Sequence, residues 1–80
     1  MKFVILGASE FNIYSSNAII ESGSQVVAMI SMPEHIRPNN SSDIAFYAKQ
    51  HDIFYHELED INSLEALDLL RKYEPDYIFV

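Results

Sequence analysis

The chain reads as an α/β protein, a Rossmann-like three-layer arrangement around a parallel sheet in the order β-α-β-α-β-α-β. Three observations predict this. Short apolar runs, FVIL, QVVAMI and YIFV, have the unbroken character of strands covered on both faces. Segments of helical length separate them. The connections carry Gly7, Gly23, Pro33 and Pro75, residues that stop or turn a chain. Right-handed crossovers then favour the strand order 3-2-1-4, with a ligand crevice at the carboxyl ends of the strands.

The unit Lys2 to Gly23 sets the pattern. Lys2 to Leu6 is the first strand, Gly7 gives the backbone freedom to turn, and Ser9 is placed to cap a helix over Glu10 to Ser22. Phe11, Tyr14, Ser15 and Ala18 fall on one side of that helix, with Ile13 and Ile20 nearly opposite. Gln25 to Ile30 is the second strand, closed by Ser31, Met32 and Pro33. The stretch from Pro33 to Ser42 holds two prolines and two asparagines and reads as an exposed loop, a candidate substrate loop by its position. Ser41 or Ser42 opens the next helix, with Ile44, Tyr47, Ala48 and His51 at offsets of three and four. Ile53 to His56 is a short third strand near an edge.

An acidic connector, Glu57 to Asp60, leads to Asn62-Ser-Leu-Glu65, which has the spacing of a capping box. In the third helix Leu64, Leu67, Leu70, Ala66, Leu69 and Tyr73 make a broad apolar face that ends before Pro75. Asp76 to Val80 is the fourth strand. In the order 3-2-1-4 this strand is an open edge with no charge to guard it, so residues 1–80 are expected to be one incomplete domain, truncated after the fourth strand.

Composition narrows the function classes. Eighty residues hide only about 60–65% of their unfolded surface, and the absence of cysteine rules out disulfides and thiolate metal sites. A cytoplasmic location suits that composition. Net charge is −7, and residues 51–80 hold eight of the twelve acidic side chains against Arg71 and Lys72, so nucleic acid is not expected to bind through this segment. No run approaches the roughly 20 apolar residues of a membrane helix.

Specific chemistries are also disfavoured. The turn Gly7-Ala8-Ser9-Glu10-Phe11-Asn12 lacks the second and third glycines of a dinucleotide site, and Ser31 stands where a ribose-binding carboxylate is needed. Glu10 occupies the positive end of the helix dipole that an anion would use. There is no phosphate loop and no aspartate at the end of strand one or two. His35, His51 and His56 are too scattered for a zinc signature, and no metal is expected. Ser15 and Ser16 have no neighbouring base, so neither serves as a nucleophile.

Taken in order, Gly7 with Glu10 and Phe11, Pro33-Glu34, Pro75-Asp76 and the strand Tyr77 to Val80 resemble the amino-terminal half of the folate-dependent formyltransferases. That family includes enzymes acting on methionyl-tRNA and on sugar nucleotides. The resemblance implies transfer of a formyl group from 10-formyltetrahydrofolate to a primary amine. It also implies that the catalytic residues lie beyond strand four, so that none is present here, the segment alone is inactive, and folate is not held tightly. Ser9, Glu10 and Phe11 are the candidate residues lining the acceptor side. In the competing assignment Ser9 is only a helix cap and Phe11 is core.

The loop PEHIRPNN has Arg37 as its one cation, which favours an amino-sugar nucleotide or other small amine over tRNA as acceptor. A non-enzymatic α/β module that completes its sheet as a homodimer, or by pairing edges with a partner, is the remaining alternative.

Overall fold

The computed structural model describes residues 1–37 and 42–80. Its elements run β1 (Lys2–Leu6), α1 (Glu10–Glu21), β2 (Gln25–Ser31), a 3-10 turn (Glu34–Ile36), α2 (Ile44–Gln50), β3 (Phe54–Glu57), α3 (Leu64–Tyr73) and β4 (Tyr77–Phe79). The four strands form one parallel sheet in the order β3-β2-β1-β4, the order expected from the sequence. A third strand at one edge and a fourth at the other follow from it.

Each face of the sheet carries its own core, which makes the fold three-layered. On one face Ile5, Val26 and Met29 pack with Ile44, Tyr47 and Ala48 of α2, and with Ile13 and Ile19 of α1. On the other, Val4, Leu6, Ala28 and Ile30 pack with Leu58, Ala66 and the half-buried Leu69, Leu70 and Tyr73 of α3. Burying a side chain such as Ile5, Met29, Ile30 or Ile44 contributes about 1.5–3 kcal/mol each, so this group is the main source of stability.

Between β1 and β2 the register slips by one residue. Phe3 lies opposite Val26 but Val4 lies opposite Ala28, leaving Val27 without a counterpart. The extra residue puts Val26 and Met29 on the same face, and Val27 joins Ala28 and Ile30 on the other.

Several sequence expectations are corrected. On α1 the stripe of Phe11, Tyr14 and Ala18 does not face the sheet: Phe11 is 76% exposed and Tyr14 61%, while Asn12 and Ser16 are buried. Polar side chains occupy the inner face because each finds partners there; Ser16 Oγ donates to the Asn12 carbonyl at 2.7 Å. Tyr47 Oη, 30 positions along the chain, donates to Asn17 Oδ1 at 2.6 Å and ties α2 to α1. Burial pushes the Tyr47 hydroxyl pKa up.

Helix α2 opens on Asp43, whose carboxylate accepts from the Phe46 N–H, rather than on Ser42; Ser41 and Pro38–Asn40 of the expected loop lie outside the described residues. The apolar face of α2 is as expected in Ile44, Tyr47 and Ala48, whereas His51 is exposed and stacks on Tyr47. Ser63, not Asn62, caps α3 and accepts from the Ala66 N–H at 3.3 Å, so the expected box with Glu65 does not form. The face of α3 that meets the sheet is Ala66, Leu69, Leu70 and Tyr73, which leaves Leu64 and Leu67 outward, at 80% and 42% exposure.

Strand β4 is pinned at its start: Lys2 N–H donates to Asp76 Oδ2 at 2.8 Å, and Asp76 N–H donates to the Lys2 carbonyl at 2.8 Å. Its free edge is bare, with Ile78 47% and Phe79 41% exposed.

At the opposite edge His56 of β3 meets α3, with Nε2 2.6 Å from Tyr73 Oη. Burial first, and the Lys72 charge second, hold the His56 pKa below its ordinary 6.5. The folded state therefore prefers the neutral ring. The stability this confers is complete above the unfolded value and is lost as pH falls through it toward the lower folded value. Urea midpoints taken from about pH 7.5 down to about pH 5.5 should drop more for the natural chain than for His56→Gln. Parallel pH profiles for the two would show that the ring takes up protons equally well folded and unfolded.

Candidate functional site

The carboxyl end of β1 turns sharply into α1. Gly7 adopts φ +140°, and its N–H donates to the Ile30 carbonyl at 3.0 Å, which holds the turn against the end of β2. A Cβ on Gly7 would lie 2.6 Å from Asn12 Oδ1 and 2.8 Å from Asn12 Nδ2, so only glycine leaves room for that amide.

Asn12 is the hub of the turn. It is 4% exposed; its Nδ2 donates to the Leu6 carbonyl at 3.1 Å, and its Oδ1 accepts the Ser9 N–H at 2.8 Å and the Ser9 hydroxyl at 2.9 Å. Ser9 and Asn12 thereby make a capping box in which asparagine takes the place usual for glutamate or glutamine. Sequence reasoning singled out Ser9 and passed over Asn12. The signal was available, because the three-residue spacing from Ser9 is the spacing that was recognised downstream between Asn62 and Glu65.

These groups floor an open cleft of ≈ 490 Å³ bounded by the Gly7–Ser9 turn, by Phe11 and Ser15 of α1, and by Phe79 and Val80 at the β4 edge. The structure thus brings Ser9 and Phe11 together on one cleft. Phe11 is not core: its ring stands in solvent at the cleft wall. Glu10 is exposed in the first turn of α1 and does not line the cleft. None of the lining side chains is an acid or a base, so the cleft as described can bind and orient but cannot move a proton.

The loop that leaves β2 reaches this turn from the other side, since the Ser42 N–H donates to the Ala8 carbonyl at 2.8 Å. The expected substrate loop is therefore anchored beside the cleft at its far end.

A second opening, ≈ 640 Å³, lies at the carboxyl ends of β2 and β3 between Pro33, the 57–60 connector and the start of α3. Glu57, Glu59, Asp60 and Glu65 make it acidic, and His35 Nε2 stands 3.7 Å from Glu59 Oε1 on its exposed rim. Tyr55 donates to Glu57 Oε2 at 2.8 Å; burial first, then this bond and the Glu57 charge, push the Tyr55 pKa up to about 12. Among the described residues no group of three His, Asp or Glu side chains is placed to hold a metal ion. Nor is any described helix long and apolar enough to cross a membrane.

Two relatives agree with the resemblance drawn from the sequence, although no protein-family profile matches the chain. A protein of Thermotoga maritima named methionyl-tRNA formyltransferase is 30% identical over 84 aligned positions, which take in 100% of this chain and 27% of the relative. A protein of the same name from Thermotoga sp. strain RQ2 is similar to the same degree and over the same shares. The chain spans about a quarter of the length of these curated relatives. The likeness to the formyltransferases is thereby borne out.

Proposed function

From a likeness to formyltransferases that runs along the entire chain, we propose that residues 1–80 form the amino-terminal half of a formyltransferase catalytic domain. The reaction is transfer of a formyl group from 10-formyltetrahydrofolate to a primary amine. The observation that carries this reading is the coincidence of a match between the whole chain and about a quarter of two proteins named methionyl-tRNA formyltransferase with an open cleft at the carboxyl end of β1.

On the acceptor, the two relatives outweigh the argument from loop charge. Both are named for methionyl-tRNA, and neither supports the amino-sugar nucleotide expected from the sparse cations of PEHIRPNN. The acceptor proposed is therefore the amino group of methionyl-tRNA. With a net charge of −7, this segment is unsuited to gripping the phosphates of the tRNA, and that work falls to other parts of the enzyme. Ser9 and Phe11 are the residues proposed to meet the acceptor, with Glu10 beside them on the exposed first turn. The base and the oxyanion-stabilising groups come from outside these 80 residues, so the segment alone neither turns over nor holds folate tightly. The bare β4 margin supports edge pairing as the way this sheet is completed.

The test is to purify the full-length gene product and supply 10-formyltetrahydrofolate with methionyl-tRNA or with an amino-sugar nucleotide. Formylation of methionyl-tRNA is the expected result. Transfer to the amino sugar alone would restore the small-amine assignment, and no transfer to either would overturn the reading.

A further inference from the structure

The Asn12 amide has its orientation dictated by backbone groups of fixed polarity. Leu6 offers a carbonyl, which only Nδ2 can satisfy at 3.1 Å; Ser9 offers an N–H, which only Oδ1 can accept at 2.8 Å. A flipped amide would set donor against donor and acceptor against acceptor in a site 4% exposed. The third contact, 2.9 Å between Ser9 Oγ and Asn12 Oδ1, then has one polarity: an amide oxygen cannot donate, so the serine hydroxyl does.

A hydroxyl carries a single proton. With that proton held by Asn12, Ser9 has only lone-pair capacity left for anything entering the cleft, and it lines that cleft beside the exposed Phe11 ring and the Phe79 edge. In the capping box the Asn12 N–H takes one lone pair of Ser9 Oγ, and among the described residues no side chain takes the other. The wall facing a ligand is therefore largely apolar surface, with the Ser15 hydroxyl and the polarised Ser9 acceptor set into it.

We infer that Asn12 is a positioning residue that fixes Ser9 as an obligate hydrogen-bond acceptor, and that Ser9 so fixed recognises an N–H of an uncharged primary amine carried on an apolar body. The inference rests on the formyltransferase reading for the use of that amine and adds the residue pair that selects it. An uncharged amine is required for the chemistry as well. Only the neutral form has a lone pair on nitrogen, because an ammonium ion has spent it on a proton. Accepting an N–H from the neutral form leaves the nitrogen lone pair unprotonated and free to attack a formyl carbon.

The experiment compares two probes of the same aromatic body, phenylalanine dimethylamide and its counterpart with the amino group also dimethylated, neither of which has an amide N–H, titrated into the 15N-labelled chain at about pH 9, where the amino group is mostly neutral. The first offers an amine N–H and the second none. The quantity read is the ratio of their affinities, with shifts at Ser9, Phe11 and Phe79 locating the binding.

Ser9→Ala should lower that ratio about tenfold, the value of one hydrogen bond, and Ser9→Thr, which keeps the hydroxyl, should restore it. Asn12→Ala frees the hydroxyl to rotate and should lower the ratio as well; if that variant does not fold, the two Ser9 variants decide the matter. A ratio unchanged in Ser9→Ala, or binding that leaves Ser9 unshifted, would overturn the inference. Neither measurement needs turnover. Selectivity retained in a protein that formylates nothing counts against the enzymatic reading alone, and turnover without selectivity counts against Ser9 and Asn12 alone.

Discussion

Gly7→Ala should remove most of the chain's stability. The φ of +140° costs an alanine about 1–3 kcal/mol. The new Cβ, 2.6 Å from Asn12 Oδ1, also expels the amide that serves the Leu6 carbonyl and the Ser9 N–H; leaving such groups unpaired costs about 1–3 kcal/mol more. A domain of this size has a total stability of only about 4–12 kcal/mol. Gly23→Ala is the matched control, because its φ of +89° imposes backbone strain while nothing lies within 4 Å of the added carbon. Urea unfolding followed by circular dichroism should show a far larger loss for Gly7→Ala than for Gly23→Ala. Equal losses would mean that the collision with Asn12 is relieved at no cost.

Ile30→Ala should cost about 2–5 kcal/mol, the range for emptying a closed core site. Ile30 is 0% exposed in β2, an inner strand between β1 and β3, and packs in the cluster that α3 covers. The surrounding sheet cannot collapse into the space, since its register is held by ladders on both sides. Ile78→Ala, the same change on the β4 edge at 47% exposure, should cost less than about 1 kcal/mol. Denaturant midpoints for the pair measure the contrast, and comparable losses would show that Ile78 is covered in solution.

The sheet was legible from the sequence because three apolar runs and one short strand, separated by helical lengths, leave few arrangements open. The faces of α1 were not legible. Hydrophobic periodicity selects Phe11, Tyr14 and Ala18, yet the chain buries Asn12 and Ser16, whose polar atoms find partners that no periodicity displays. Asn62 and Ser63 are both good caps, and which one is used is settled by how Ala66 meets the sheet, a tertiary fact. Of the cleft, Ser9 and Phe11 could be chosen from the turn, but the wall formed by Phe79 and Val80 depends on β4 lying beside β1. Glu10, adjacent to both in the motif, is exposed and is not part of the cleft lining.

The unpaired Val27 gives β2 two phases along one strand. Residues before it and residues after it keep opposite parity, so Val26 and Met29, three positions apart, serve one core, while the adjacent Val27 and Ala28 both serve the other. Excising that single position would leave plain alternation, with Val26 still on the α1 and α2 side and Ala28 still on the α3 side, and would remove only the half-buried Val27 from the α3-side core.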